Sequence, residues 1–164
     1  MKNDRAGLKL IVLALVIGGA GLAYRGCNRP GPQGASSNLP WLEDFEAAKA
    51  AAAASGKPML VDFTGSDWCG WCIKLDNEVF SKPAFEAYAR ENLILVKLDF
   101  PKRKELPAAI KSQNESLSRQ YGVRGFPTIL LVSPDGGVIA RTGYRPGGAE
   151  SYVEHLKTLL SKRS

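Results

Sequence analysis

The chain has 164 residues, enough for one domain of ordinary size with its own hydrophobic core. Its formal net charge is +6, but residues 1–40 contain five basic side chains and one Asp, whereas residues 41–164 contain seventeen basic and fifteen acidic ones. A domain with such a balanced charge lacks the basic surface of a nucleic-acid-binding protein, so we expect no nucleic-acid partner. The three cysteines, an odd number, do not suit a scaffold held together by disulfides.

The N-terminal segment 1–27 predicts a membrane anchor or a signal segment. Basic residues precede a uniformly apolar run at 10–24, which is shorter than the roughly 20 residues of a full membrane span. The run also fits the core of a cleaved signal peptide, with GlyLeuAla at 21–23 as its cleavage site. We favour the uncleaved anchor, and attachment of a lipid to Cys27 is a third alternative. A slight excess of positive charge before the run predicts a single-pass protein whose domain faces the periplasm or another extracytoplasmic space.

Residues 28–40 are rich in Pro, Gly and Ser and have no hydrophobic periodicity, which predicts a flexible linker. The globular pattern begins at residue 41, so we expect the folded domain to comprise residues 41–164. A helix is predicted at 41–55, where strong helix formers precede Gly56 as a C-cap. A short apolar strand follows at 59–63.

The remaining predicted elements alternate between helices and strands. They are a helix from Trp71 to about 80, a helix at 81–90, a buried strand at 93–100, a mostly helical stretch at 102–121, a hairpin of strands 128–133 and 138–143, and an amphipathic C-terminal helix. The order predicts an α/β fold with a central mixed sheet flanked by helices.

The spacing of Cys69 and Cys72 is suited to thiol–disulfide exchange. Three helical residues advance about 4.5 Å along the helix axis, and the Cα atoms of a disulfide are usually about 4.4–6.8 Å apart. Cys69 is predicted at the start of the helix, where free backbone amides stabilise a thiolate. Cys72 is predicted one turn further on and more covered, where it can attack a mixed disulfide formed on Cys69.

Two other interpretations of the cysteine pair remain open, a structural disulfide and half of a metal site. A tetrahedral zinc site needs three or four protein ligands, and the other candidate ligands are Cys27 in the linker and His155 on the last helix. We therefore expect no metal site and no cofactor, and we expect His155 to occupy a surface position.

The motif VDF-x-x-x-DWCGWC-x-K, followed by GlyPheProThr at 125–128, resembles the thioredoxin superfamily over about residues 41–160. The stretch DWCGWCIKLDNEVFSKPAF is similar to membrane-tethered or periplasmic thioredoxin-like proteins and to the C-terminal domain of the bacterial thiol:disulfide interchange transporter. This resemblance implies a thioredoxin-like fold and a protein thiol–disulfide oxidoreductase.

The resemblance also implies roles for individual residues. Cys69 would be the attacking thiol and Cys72 the resolving thiol. Pro127 would be a cis-proline facing the cysteines, and the backbone of Phe126 would pair with a substrate polypeptide. Asp62 matches the buried acid that lies behind the cysteines in thioredoxins.

Three further side chains are assigned to the site. Asp76 follows Cys72 by four residues, lies on the same helical face and matches a carboxylate of the transporter domain, although it could also be a solvated helix residue. Trp68 is expected to pack beside the active site, and Trp71 to offer an exposed apolar contact to substrate.

The sequence departs from thioredoxin in three places. Asp62 lies seven residues before Cys69, one more than in thioredoxin, so its alignment requires the extra residue to stay in the loop. Trp71 replaces the proline that is common between the cysteines. The connection after residue 100 is longer and contains LysArgLys at 102–104, which we interpret as a solvated loop rather than a rim that contacts partners.

The sequence therefore predicts a reductase that acts on disulfide-containing exported proteins and is supplied by a membrane electron donor. Two alternatives are a tethered binding or chaperone module without turnover, and metal delivery through the two thiols.

Overall fold

The computed structural model describes residues 39–162. The predicted anchor at 1–27 and most of the predicted linker at 28–40 lie outside the described residues. No helix among residues 39–162 has the length and apolar character needed to cross a membrane.

A five-stranded mixed sheet forms the centre of the described domain. Its strands run in the order β1-β3-β2-β4-β5, with β1, β3 and β2 parallel and with β4 antiparallel to both β2 and β5. The predicted α/β fold with helices flanking a mixed sheet is thus confirmed. The elements are β1 (Trp41–Leu42), α1 (Phe45–Ser55), β2 (Met59–Thr64), α2 (Gly70–Leu75), α3 (Pro83–Asn92), β3 (Ile94–Asp99), α4 (Ala108–Gln120), β4 (Thr128–Val132), β5 (Val138–Thr142) and α5 (Gly148–Ser161).

The start of the first predicted helix is wrong, because Trp41 and Leu42 form strand β1. They pair in parallel with Leu95 and Val96 of β3, a tertiary contact that local helix propensity does not reveal. Helix α1 begins only after Asp44, whose carboxylate accepts a hydrogen bond from the backbone N–H of Ala47 at 3.0 Å, as an N-cap does.

The stretch at 102–121 is mostly helical, as predicted, with α4 beginning at Ala108. Pro107 disfavours helical backbone at the residue before it and has no N–H to donate. The backbone N–H groups of residues 102–104 instead donate to the side chain of Asp67. These contacts hold the segment before α4 in an irregular conformation.

The helix after the cysteine pair extends to Phe80, as predicted, but its second half is not α-helical. Residues Asp76–Phe80 form a π-helical turn that continues directly from α2. Val79 and Phe80 in this turn are both buried.

The core has one layer on each face of the sheet, and alternation along β2 assigns its side chains to the two layers. Met59, Val61 and Phe63 pack with α1 and α4, whereas Leu60 packs with α3, α5 and the π-helical turn. Because successive side chains of a strand point to opposite faces, Asp62 lies on the face of Leu60, beneath α2.

The domain boundary is testable at Leu39, which precedes the predicted start at residue 41 but is buried in the core layer with Leu93 and Leu95. We expect Leu39→Ala to lower the free energy of unfolding by about 2–3 kcal/mol, measured by urea denaturation. The exposed Val138 provides the control, and Val138→Ala should change the free energy of unfolding by less than about 0.5 kcal/mol. If the Leu39→Ala variant is as stable as the unsubstituted protein, Leu39 does not belong to the folded domain, which then begins at residue 41 as predicted.

Candidate active site

Cys69 and Cys72 are joined by a disulfide bond, and their Cα atoms are 5.2 Å apart. This separation lies in the range predicted from helical spacing. The pair follows the end of β2 and begins α2, so the sheet and the helix together fix both cysteines.

Cys69 is the N-cap residue of α2. Its backbone is extended, with φ −84° and ψ 103°, and its Sγ atom accepts a hydrogen bond from the backbone N–H of Cys72 at 3.2 Å. Its own N–H donates to the carbonyl oxygen of Gly65 at 2.9 Å. The exposed fractions are 6% for Cys69 and 4% for Cys72, so in the disulfide form Cys72 is not clearly more buried than Cys69, contrary to the prediction. What distinguishes the two sulfurs is that only Cys69 caps the helix.

The loop between β2 and Cys69 is attached to the end of β3. The buried Asp99 carboxylate accepts hydrogen bonds from the backbone N–H of Ser66 at 2.9 Å and from its hydroxyl at 2.6 Å. Strand β2 ends at Thr64, and Asp62 lies within it. Four residues, 65–68, therefore separate the end of β2 from Cys69.

Trp68 packs beside the active site, as expected. Its indole N–H donates to the carbonyl oxygen of Phe100 at 2.8 Å, and its ring meets that of Phe126 edge-on with centroids 6.0 Å apart. A Cβ atom at Gly65 would lie 2.6 Å from the indole, so this close approach requires glycine.

Asp62, Asp76 and Cys72 line one cavity of about 110 Å³, together with Thr64, Ser66, Ile73 and Lys97. Asp62 is buried, and its Oδ1 atom has no hydrogen-bond partner among the described residues. Burial raises the pKa of Asp62 from 3.8 to about 7, with Lys97 opposing the rise and the charge of Asp76 adding to it. Asp62 is thus able to exchange a proton near neutral pH, next to Cys72.

Asp76 is exposed at the beginning of the π-helical turn, so it connects the cavity to solvent. Both predicted acids therefore meet at the second cysteine. Asp76 is at the same time a solvated helix residue, so its exposure fits the alternative interpretation as well.

Phe126 and Pro127 precede strand β4, and the peptide bond between them is cis. Thr128 pairs with Phe63 near the end of β2, which places Pro127 at the same sheet edge as the cysteine loop. A Cβ atom at Gly143 would lie 3.2 Å from the Pro127 carbonyl oxygen, so the chain after β5 also passes close to this proline.

Trp71 is 58% exposed, as expected of a contact residue. Its ring lies 5.1 Å from that of Tyr144, and the Lys74 ammonium is 5.3 Å from both ring centroids. The Tyr144 hydroxyl donates to the Glu78 carboxylate at 2.7 Å. Sequence reasoning missed Tyr144, because nothing in its local pattern indicates a contact with a residue so far away along the chain.

Asp67 was also missed, although it belongs to the recognised Asp-Trp-Cys motif. Its carboxylate accepts hydrogen bonds from the backbone N–H groups of Lys102, Arg103 and Lys104 at 2.9, 2.7 and 3.2 Å. These donors, the one from Lys102 foremost, hold the pKa of Asp67 below its usual value.

His155 lies outside this site and is not simply a surface residue. It is partly buried, and its Nε2 atom is 2.9 Å from the hydroxyl of Thr142. Burial lowers its pKa, and the charges of Arg145 and Lys162 lower it further. Among residues 39–162 no three His, Cys, Asp or Glu side chains are grouped so that they could hold a metal ion.

Comparison with known proteins relates this geometry to a family. Residues 45–158 match the thioredoxin-like domain family. Disulfide bond reductase DsbH of Chlamydia pneumoniae is 36% identical over 129 residues, which are 79% of this chain and 77% of that protein. A solved structure of a DsbH oxidoreductase has a TM-score of 0.73 at 36% identity, covering 77% of this chain and 88% of that one.

The thiol:disulfide interchange protein DsbD 2 of Pseudomonas aeruginosa is 30% identical over 118 residues. These are 69% of this chain but 19% of that protein, so the similarity concerns about a fifth of its length. The resemblances inferred from the cysteine motif are thereby confirmed. The chain belongs to the thioredoxin-like family, and its closely spaced cysteine pair makes it a thiol–disulfide oxidoreductase.

Proposed function

We propose that this chain is a reductase that opens disulfide bonds in exported proteins. The observation that carries the proposal is the Cys69–Cys72 disulfide at the start of α2, with Cys72 sharing a cavity with the buried Asp62. The direction of electron flow is supported by the relative named as a disulfide bond reductase, which matches most of this chain.

The reaction proceeds by two thiol–disulfide exchanges from the reduced pair. The Cys69 thiolate attacks one sulfur of the substrate disulfide, forms a mixed disulfide and releases the other substrate sulfur as a thiolate. The Cys72 thiolate then attacks Sγ of Cys69, closes the internal disulfide and releases the second substrate sulfur. Two electrons pass to the substrate, and a dithiol electron donor in the membrane reduces the Cys69–Cys72 disulfide by the same exchange chemistry.

The second exchange requires Cys72 to lose its proton, and in this proposal Asp62, which lines the same cavity, accepts it. A carboxylate with a pKa of about 7 is partly ionised at neutral pH and takes up a proton readily. Asp76, at the exposed side of the same cavity, passes the proton on to solvent.

Four residues around the disulfide form the substrate site of this proposal. Trp68 and Phe126 lie together on one side, and the exposed ring of Trp71 supplies an apolar contact on the other. The backbone at Phe126, before Pro127, pairs with an extended substrate segment, as one more strand pairs with a sheet edge.

The proposed location combines the N-terminal segment with the domain. Residues 1–27 anchor the protein in the membrane, residues 28–40 form the linker, and the domain from about residue 41 works in the periplasm or another extracytoplasmic space. The Dsb-type relatives support an extracytoplasmic place of action.

The two cysteines should behave differently when each is replaced. Cys72→Ser leaves a nucleophile at Cys69 that cannot release its partner, so covalent complexes sensitive to dithiothreitol should accumulate. Cys69→Ser should trap little, because Cys72 lacks the N-cap position. Non-reducing electrophoresis of cell extracts measures both. Equal trapping by the two variants, or none by either, contradicts the assigned roles.

Asp62→Asn should slow the second exchange by about tenfold or more while changing the first much less, because only the second needs the proton acceptor. Stopped-flow measurements of mixed-disulfide lifetime between pH 6 and 9 would show this. Asp76→Asn removes the same charge at the exposed side of the cavity and should have a smaller effect. An unchanged lifetime in Asp62→Asn together with a longer one in Asp76→Asn would assign the proton to Asp76.

The stability of the same Asp62 variant provides an independent check. Folding raises the pKa of Asp62 from 3.8 to about 7, so the folded state binds this proton more tightly than the unfolded state. The carboxyl's contribution to the free energy of unfolding should therefore fall as pH rises from about 4 to about 7, by on the order of 4 kcal/mol. Asp62→Asn should remove this loss, and a pH dependence equal to that of the unsubstituted protein would show that Asp62 is not buried in solution.

Membrane attachment predicts that the full-length protein sediments with membranes and that alkaline phosphatase fused to its C-terminus is active. The matched control is the same fusion without residues 1–27, which should stay inactive in the cytoplasm. An inactive full-length fusion would place the domain in the cytoplasm and remove exported proteins as substrates.

A further inference from the structure

The basic run at 102–104 is held directly beside the active site by the residue that precedes Trp68. The Asp67 carboxylate accepts three consecutive backbone N–H bonds from this run, at 2.7–3.2 Å. The indole of Trp68 donates to the carbonyl oxygen of Phe100, just before the run. The basic run is exposed, as a solvated loop is, but its backbone is fastened to Asp67, next to Trp68 and Cys69.

Three exposed cations occupy the fastened run, and we call Lys102, Arg103 and Lys104 the basic rim. The Lys102 ammonium lies 4.0 Å from the centroid of the Trp68 ring, in cation–π contact. No ion pair within residues 39–162 involves a member of the basic rim. Glu105 follows directly, so residues 102–105 have a net charge of +2.

The Asp67 carboxylate offsets one of the three rim charges, so the rim together with Asp67 and Glu105 keeps a net charge of +1. Its oxygens are directed at backbone N–H groups, and these bonds keep it ionised by lowering its pKa. Their effect on the rim is to fix its backbone, so the cations stay beside the disulfide without the entropy cost of ordering a loose loop.

The surroundings of Trp71 have a different electrostatic character. There the Lys74 ammonium lies near the Trp71 ring but is 3.8 Å from the Glu78 carboxylate, which offsets its charge. Arg145, next in sequence to Tyr144, is also exposed and forms no ion pair within residues 39–162. The basic rim differs in having three consecutive cations whose backbone is held by Asp67.

We propose that the basic rim docks an acidic segment of the substrate polypeptide next to the disulfide that is reduced. The proposal rests on the proposed function and narrows its substrate class to disulfides flanked by Asp or Glu. Fixed exposed cations beside a reactive site speed the approach of an oppositely charged partner and orient it. Asp67 is a positioning residue, because it acts on the substrate only through the rim.

The test compares two synthetic peptides that share one sequence around an internal disulfide and carry either Glu or Gln at the flanking positions. We expect the reduced full-length protein to have a kcat/KM about tenfold higher for the Glu peptide at low ionic strength. In the double variant Arg103→Gln/Lys104→Gln, the ratio of kcat/KM for the Glu peptide to that for the Gln peptide should fall to within about twofold. The control is Lys57→Gln with Arg90→Gln, which removes equal charge. Since Lys57 precedes β2 and Arg90 precedes β3, both lie towards the sheet edge opposite the cysteines, and the ratio should be preserved.

Two further measurements separate the rim from general charge and from its attachment. The preference should disappear near 1 M salt, where the Debye length is about 3 Å. Asp67→Ala keeps all three cations but releases their backbone, and it should lower the ratio severalfold. A full preference in Asp67→Ala would overturn the positioning role of this residue.

The outcomes for the unsubstituted protein distinguish this proposal from the function on which it rests. Reduction of both peptides at equal rates would overturn the docking proposal alone. Reduction of neither, with the Cys69–Cys72 pair reduced at the start, would overturn the proposed reductase function itself. An equal loss of preference in the rim and control variants would show an effect of net charge and would also overturn the docking surface.

Discussion

The active site depends on two short hydrogen bonds between Ser66 and the buried carboxylate of Asp99. They fasten the loop after β2 to the end of β3 and so determine where Cys69 caps α2. A buried carboxylate requires compensating donors, and the backbone and hydroxyl of Ser66 supply them. With the loop held there, α2 begins next to β2, and Cys72 lines the same cavity as Asp62.

The two buried acids of the site differ because only one is compensated. Asp99 has donors on both oxygens, whereas Asp62 has an orphaned oxygen and a pKa raised to about 7. An uncompensated buried acid lowers stability at neutral pH, and such groups are typical of functional sites. The loss of stability caused by Asp62 is consistent with a role as proton acceptor next to Cys72, because the exchange reaction needs a group that titrates near the working pH.

Sequence patterns predicted the sheet, its flanking helices and the cysteine pair because they are encoded by nearby residues. Asp62 and Asp76 were assigned from the resemblance and Trp68 from its position next to Cys69; both acids line a cavity with Cys72, and Trp68 packs against Phe126. Pro107 is a local signal for the late start of α4. Strand β1, Tyr144 and the bridging role of Asp67 could not be predicted. Each depends on a partner more than 30 residues away, such as Leu95 for Trp41 or Lys102 for Asp67, and local propensity contains no information about such contacts.

The direction of electron flow is the central claim of this account, and the reduction potential of the Cys69–Cys72 pair tests it most directly. Trp71 replaces the proline common in thioredoxin, so the potential has to be measured by equilibration with dithiothreitol or glutathione buffers of known ratio. A reductase predicts a value of about −230 to −270 mV, in the range of glutaredoxins and thioredoxin. A value near about −120 mV, like that of the oxidant DsbA, would contradict the account, because the pair would then donate its disulfide to substrates.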